Sequence, residues 1–384
     1  MQFFTKVALI AAELSIFSST LAAQSEATYQ DYATTTANLL INKYYDQSTG
    51  QFDTLWWNSA ITHTALADLS ALLGGASTVA GHDIFGIWDD LYTKHTGSTS
   101  VSNQGFLNPY YDDEGWWALF WIAAYDLTGI SKYLALAESI TADMHNNGQA
   151  CGGGIWWSKS KSVVATIQNV LLMSAAAHLA NRVPNNTAMY QDWADTSWAF
   201  LQISGEYSGS TFLLGGNADA STCKLIAGTN SIPSTYQQGV LIGALVELAT
   251  VHKDGGYIDV AQSVAHVSIT NSDFYNAQLG TMHEPLGGFD NDSAQFKGIL
   301  ARNLMILNRA HPDINYLNII TKSADSIWAS ARNSDGTIIA LWDGNPSGKD
   351  IGSYSLEVST SSAFECLIAA AEMVKGGTLG ITVD

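Results

Sequence analysis

The feature that most constrains this chain is a rhythm in its connections. Apolar residues recur at spacings of three and four from about residue 27 onward, and strand-like alternation is scarce, so the chain reads as a succession of helices. These are expected near 27–44, 58–74, 78–95, 113–128, 131–146, 162–180, 187–203, 234–252, 256–270, 292–309, 314–331 and 358–374. Connections before the even-numbered helices are long (45–57, 96–112, 147–161, 204–233, 271–291 and 332–357), whereas those after them are mostly short. In a chain of antiparallel helix pairs every second connection lies at the same end, so the long loops gather on one face and the tight turns on the other. The closed form of such a chain is an all-α (α/α)6 barrel of six helical hairpins, with the even helices inside. An open solenoid would need a plainer internal repeat. Residues 24–384 are read as one such domain.

Composition narrows the ligand class. Hydrophobic residues make up 47% of the 384 and charged residues 13%, which indicates a large core. Sixteen basic against 35 acidic residues give a net charge of −19, the wrong sign for a phosphate-backbone partner, so nucleic acid is not expected. Twelve Trp and 16 Tyr exceed what packing requires, and flat aromatic faces suit ligands that are polar at the rim and apolar on one side, as sugars are.

The N-terminal MQFFTKVALIAAELSIFSSTLAAQ has a lysine, a short apolar run interrupted by Glu13 and small residues at Thr20 and Ala22, the pattern of a secretory signal over residues 1–23. No uninterrupted apolar run of about 20 residues, the length needed to span a bilayer, is present. The C-terminal GGTLGITVD lacks the hydrophobic tail of a lipid-anchor signal. The expectation is a secreted, extracellular protein without a membrane partner, and a monomer by default. Of three cysteines, Cys366 lies inside the last helix, whereas Cys151 and Cys223 lie in long loops on one face and are expected to form a disulfide. The sequons at Asn185 and Asn291 are expected glycosylation sites in a eukaryotic host.

The unusual residues follow the long loops. Trp56-Trp57, Asp112-Asp113, CGGGIWW at Cys151 to Trp157, STYQQG at Ser234 to Gly239, FDNDSAQFKG at Phe289 to Gly298 and ALWDG at Ala340 to Gly344 all lie in them or where they enter an even helix. Nucleophile-elbow, phosphate-loop and HExxH motifs are absent. Asp290-Asn291-Asp292 begins like a calcium loop, but Gln295 and Ala301 stand where Gly and Glu are required, so no metal or cofactor is expected. The run Gly152-Gly153-Gly154 lets the backbone turn tightly before Trp156 and Trp157.

Asp112 and Asp113 open an otherwise apolar helix. As first-turn acids they could simply serve the helix dipole. Two carboxyl groups at the mouth of an aromatic cleft are also the equipment for glycoside hydrolysis, and side chains on neighbouring residues can place their carboxyls about 5 Å apart, the retaining geometry. Two anions so close resist ionising together, so one pKa is expected to rise while the helix N-terminus holds the other down.

These residues resemble a known family. Phe106, Asn108 and the run Tyr111 to Leu119, followed by Ala124 to Gly129, look like the signature of the α-1,6-mannanases of glycoside hydrolase family 76, as do Cys151 to Trp157, Tyr236 to Ala244 and Gln295 to Ile299. The resemblance extends over almost all of the chain after the leader. It implies an (α/α)6 barrel, secreted endo-action on α-1,6-linked mannan, Asp112 as nucleophile and Asp113 as acid/base. Trp57, Asn108, Tyr111, Trp156, Trp157, Tyr236, Gln237, Asp292 and Lys297, from the same loops and motifs, are the expected substrate-binding residues. One departure is visible: many relatives carry Asp-Gly shortly before the cysteine matching Cys223, and here Gly215, Asn217 or Asp219 could take that place. A transglycosidase of the same family and a mannan-binding protein without activity are the alternatives.

Overall fold

The computed structural model describes residues 23–97, 101–226, 233–285, 288–344 and 352–377. The expected leader, apart from Ala23, and the segment beyond Gly377 lie outside the described residues. Twelve α-helices are present among them. Six form an inner ring: α2 (Trp56–Leu72), α4 (Tyr111–Thr128), α6 (Thr166–Arg182), α8 (Thr235–His252), α10 (Phe296–Ala310) and α12 (Leu356–Gly377). The outer six are α1 (Glu26–Tyr44), α3 (Ile84–Thr96), α5 (Ser131–Gly148), α7 (Thr187–Ser204), α9 (Gly256–Thr270) and α11 (Ile314–Ser326), the last running into a π-turn at Ile327–Ala331. Each inner helix packs on the next, and α12 packs on both α2 and α1, so the ring closes into the expected (α/α)6 barrel.

Burial explains the patterning. An inner helix has neighbours on every side, and in α6 all residues from Thr166 to Ala177 are buried, whereas outer α11 buries a stripe at Tyr316, Ile319, Ile320, Ser323 and Ala324. Two motif glycines are there for close approach. A Cβ on Gly239 would lie 2.8 Å from the Ile299 carbonyl oxygen where α8 meets α10, and one on Gly298 would lie 2.4 Å from the Ser362 carbonyl where α10 meets α12.

Several helices start later than their periodicity predicts. Residues 78–83 form a small hairpin that ends in Asp83, whose carboxylate caps α3 by accepting from the Gly86 amide. Val164–Ala165 pair with Asn217–Asp219, which also pair with Lys224–Leu225, in a three-stranded sheet that ties the third long loop to the fourth. Residues 290–293 make an Asx turn, with the Ser293 amide donating to Asp290 Oδ1, and delay α10 to Phe296.

Candidate functional site

Four inner helices, α2, α4, α8 and α10, present their first turns to one cavity of about 340 Å3. They contribute Trp57, then Asp112, Asp113 and Trp116, then Tyr236, and Phe296; the loops before α4, α6 and α10 add Tyr110, Trp157 and Asp292. The walls are aromatic. Tyr236 stacks on Phe296 with centroids 3.9 Å apart, Trp57 on Trp116 at 5.6 Å, and Tyr110 leans on Trp157 at 4.8 Å. Such rings offer flat apolar faces, while three carboxyl groups supply the polar contacts that fix a ligand's orientation.

Each carboxyl has a neutral partner. The Trp157 indole N–H donates to Asp112 Oδ2 (2.8 Å), the Asn108 amide to Asp113 Oδ2 (2.5 Å) and the Trp57 indole to Asp292 Oδ1 (2.8 Å). Asp112 Oδ1 is buried without a partner. The N-cap of α4 is Tyr110 and no side chain caps it, so Asp112 and Asp113 belong to the helix's first turn. Burial pushes the Asp112 carboxyl up to about 6, with the Trp157 indole and first-turn amides pulling the other way. Burial, then the Asp112 charge, pushes Asp113 further, to about 8. The expectation that one group would be held down is therefore corrected: desolvation outweighs the helix N-terminus, and both rise. Asp112 is the stronger acid of the two. Burial also raises Asp292.

The expected binding residues divide. Trp57, Trp157, Tyr236 and Asp292 line the cavity, and Asn108 reaches it through Asp113. Gln237 is buried and does not line the cavity. Three lie elsewhere. Tyr111 is in the core beneath the Lys159 ammonium. Trp156, next to Trp157 in extended chain, faces the opposite way onto the Val164, Phe200 and Ala218 cluster. Lys297 is buried behind the wall, where its ammonium donates to the Ala340 carbonyl (2.7 Å) and lies 4.9 Å from the Phe289 and Trp342 rings. Tyr110, Trp116 and Phe296 were not expected as lining residues, although Tyr110 and Phe296 each adjoin one that was and Trp116 lies one helical turn after Asp112.

None of Gly215, Asn217 and Asp219 lines the cavity; the Asp219 carboxylate is exposed and accepts from the amides of Ser221 and Thr222. The expected disulfide is not formed in this structure, where all three cysteines are free thiols. Cys151 and Cys223 nevertheless lie side by side, and the Cys151 thiol, pushed up to about 12 by burial and by Cys223, donates to the Asp219 carbonyl (3.9 Å).

A closed helical toroid with paired acids at the bottom of an aromatic cleft is the build of a carbohydrate-processing enzyme. The model of Glycosyl hydrolase family 76 matches residues 28–376, and the chain belongs to that family. No curated protein matches it significantly by sequence. Among solved structures it is similar to the α-1,6-mannanase of Salegentibacter sp. HEL1_6 (20% identity, 90% of this chain and 99% of that one, TM-score 0.74). A variant of that mannanase at two consecutive aspartates is described as inactive and was solved with α-1,6-mannotetrose. Similar too is Dfg5 of Chaetomium thermophilum in complex with glucosamine (17% identity, 92% of each chain, TM-score 0.73).

Proposed function

We propose that this chain is a secreted, retaining glycoside hydrolase that cleaves α-1,6-mannosidic linkages within mannan backbones, with Asp112 as nucleophile and Asp113 as acid/base. The observation that carries the reading is the pair itself: neighbouring, half-buried carboxyl groups with separated pKa values in an aromatic cleft. Near neutral pH Asp112 is mostly ionised and Asp113 mostly protonated, the two states that a double displacement requires. Asp112 attacks the anomeric carbon opposite the α-linked oxygen as Asp113 gives that oxygen its proton and the glycosidic bond breaks. Asp113, now a carboxylate, takes a proton from water, whose oxygen displaces Asp112 and leaves an α-configured product. Trp57, Trp157, Tyr236 and Phe296 would stack on mannose rings, and Asp292 would accept from hydroxyls. The mannanase relative inactive at two consecutive aspartates supports this reading.

Incubation with linear α-1,6-mannan tests it. Shorter oligosaccharides mean endo-hydrolysis, longer products mean transfer to another glycan, and unchanged polymer would overturn the enzyme reading in favour of mannan binding. Proton NMR of the first products checks retention, since an initial β-anomer would exclude the double displacement.

A further inference from the structure

Behind the acid pair lies a second cluster of charges that touches no cavity wall. Glu114, the fourth residue of α4, is fully buried. Its Oε1 accepts from the Asn108 backbone N–H (3.2 Å) and lies 2.8 Å from the Lys159 ammonium, which is also 3.0 Å from Asp143 Oδ2 on α5. One ammonium thus sits between two carboxyl groups. Glu114 Oε2 is buried without a hydrogen-bond partner and Asp143 Oδ2 meets only the Lys159 ammonium, although the two side chains are within hydrogen-bonding reach of each other. Two buried acceptors that face each other are costly if both are anionic, and one proton satisfies both.

We propose that Glu114 is a neutral carboxylic acid sharing its proton with Asp143, and that this pair, clamped by Lys159, positions the hydrogen-bond donors of Asp112 and Asp113. The charges then balance, with one cation and one negative charge over two carboxyls. Burial pushes Glu114 up to about 8 against the pull of Lys159, whereas at Asp143 burial is outweighed by Lys159, Asn147 and Glu114, so the proton favours Glu114. The other ionisable group at the cluster is the Tyr111 hydroxyl, which burial raises.

The cluster reaches both aspartates through backbone. Glu114 holds the Asn108 amide, and the Asn108 side chain donates to Asp113. Lys159 belongs to the loop that carries Trp157: its amide donates to the Pro109 carbonyl (2.8 Å), and the Tyr111 amide donates to the Trp157 carbonyl (2.9 Å). Fixing Lys159 therefore fixes the indole that donates to Asp112. Glu114 is a positioning residue, and a displacement of about 1 Å at such a site can cost on the order of a hundredfold in rate.

This inference rests on the proposed role of Asp113, but its first test does not use activity. Infrared spectra of Asp113→Asn and Asp113→Asn/Glu114→Gln at pH 7 should differ by one protonated-carboxyl band; no lost band overturns the proposal even if mannan is cleaved. In kinetics, Glu114→Ala should lower kcat about ten- to a hundredfold, leave KM within about twofold and move the alkaline limb upward, because Asn108 lowers the Asp113 pKa. Glu114→Gln keeps the acceptor and supplies an N–H toward Asp143, so it should rescue about half or more of the rate. Equal damage by Gln and Ala, or none by Ala, overturns the proposal. Should Glu114→Ala not fold, the spectra of the isosteric variants decide.

Discussion

The two ends of the barrel hold their acids in opposite ways. At the tight-turn end, where inner helices finish, Arg182 bridges Asp126 and Glu247 (2.7 and 3.0 Å) and Arg309 pairs with Glu372. At the cleft end, where they begin, Asp112, Asp113 and Asp292 accept from an amide and two indoles. Burial alone would raise Glu247, Asp112, Asp113 and Asp292. At Glu247 it is outweighed by His178 and Arg182, and the carboxyl falls below its ordinary value, whereas Asp112 and Asp113 rise to about 6 and 8. Under the proposed function, the contrast separates an end where ion pairs fix the charge from one where carboxyl groups titrate near neutrality.

The strongest way to break this contrast is to remove charge at each end. Asp112→Asn and Asp113→Asn should each keep the fold and lose about a hundredfold or more in turnover of α-1,6-mannan. Glu247→Gln should leave kcat within about twofold and show its effect in denaturation instead. If either aspartate variant keeps more than about a tenth of the rate, the cleft acids serve only their helix.

Second in size is the response to pH. Loss of the Asp112 carboxylate should reduce kcat/KM below about pH 6, and loss of the Asp113 proton should reduce it above about pH 8, giving a bell whose limbs belong to the coupled pair. Trp157→Phe keeps a ring but removes the donor to Asp112, so the acid limb should move upward and the rate fall roughly tenfold. An unmoved acid limb would detach the indole from that titration.

Stability sharpens the same comparison with smaller effects. Glu247 is lowered in the folded state, so it stabilises above its unfolded value and the benefit is lost as pH falls through the folded one; Glu247→Gln should cost about 1–3 kcal/mol at pH 7 and less in acid. Asp113 is raised, so the folded protein holds a proton that the unfolded chain has released, and stability declines as pH rises from about 4 to 8. Asp113→Asn should therefore melt roughly 1–3 °C above the parent at pH 8, with the gap closing at pH 4. A lower melting point at pH 8 would mean that Asp113 carries structure as well as chemistry.

The smallest effect concerns the loops at the cleft end. Under oxidising conditions Cys151 and Cys223 should join, reinforcing the tie that the three-stranded sheet already makes. Non-reducing peptide mapping that finds both free, or either joined to Cys366, sinks this.

The barrel was legible in the sequence because its signal is summed over twelve helices: a boundary shifted from 292 to 296 leaves the alternation of loop lengths intact. Local turn chemistry set the late starts, as at Asp83 and Ser293, where a side chain satisfies backbone groups that helical spacing does not reveal. At the cleft, the paired acids could be read because two like charges opening an apolar helix are conspicuous. Which way a neighbour points was harder. Phe296 and Lys297 are consecutive, yet about 100° of helical turn sends the first into the cavity and the second behind it. Trp156 and Trp157 part in the same way by strand alternation. Both Gly239 and Gly298 belong to motifs that resemble a site signature, and their reason is helix-to-helix contact.

Ring closure carries a consequence for how the molecule is made. Thr62 on α2 donates to Glu357 and is hydrogen-bonded with Ser361 on α12, across sequence separations of 295 and 299 residues, and Tyr29 on α1 donates to Asp325 across 296. Contacts of such span are slow to form, because the intervening chain must give up its freedom before they exist. During synthesis the apolar flanks of α1 and α2 have no partner until α12 has emerged, so a nascent chain carrying ten helices is an open arc with two sticky edges. Permuting the chain to begin within the 182–187 turn would move the last-formed seam between α6 and α8, leaving the finished barrel the same while changing which pair of helices waits longest for its neighbour.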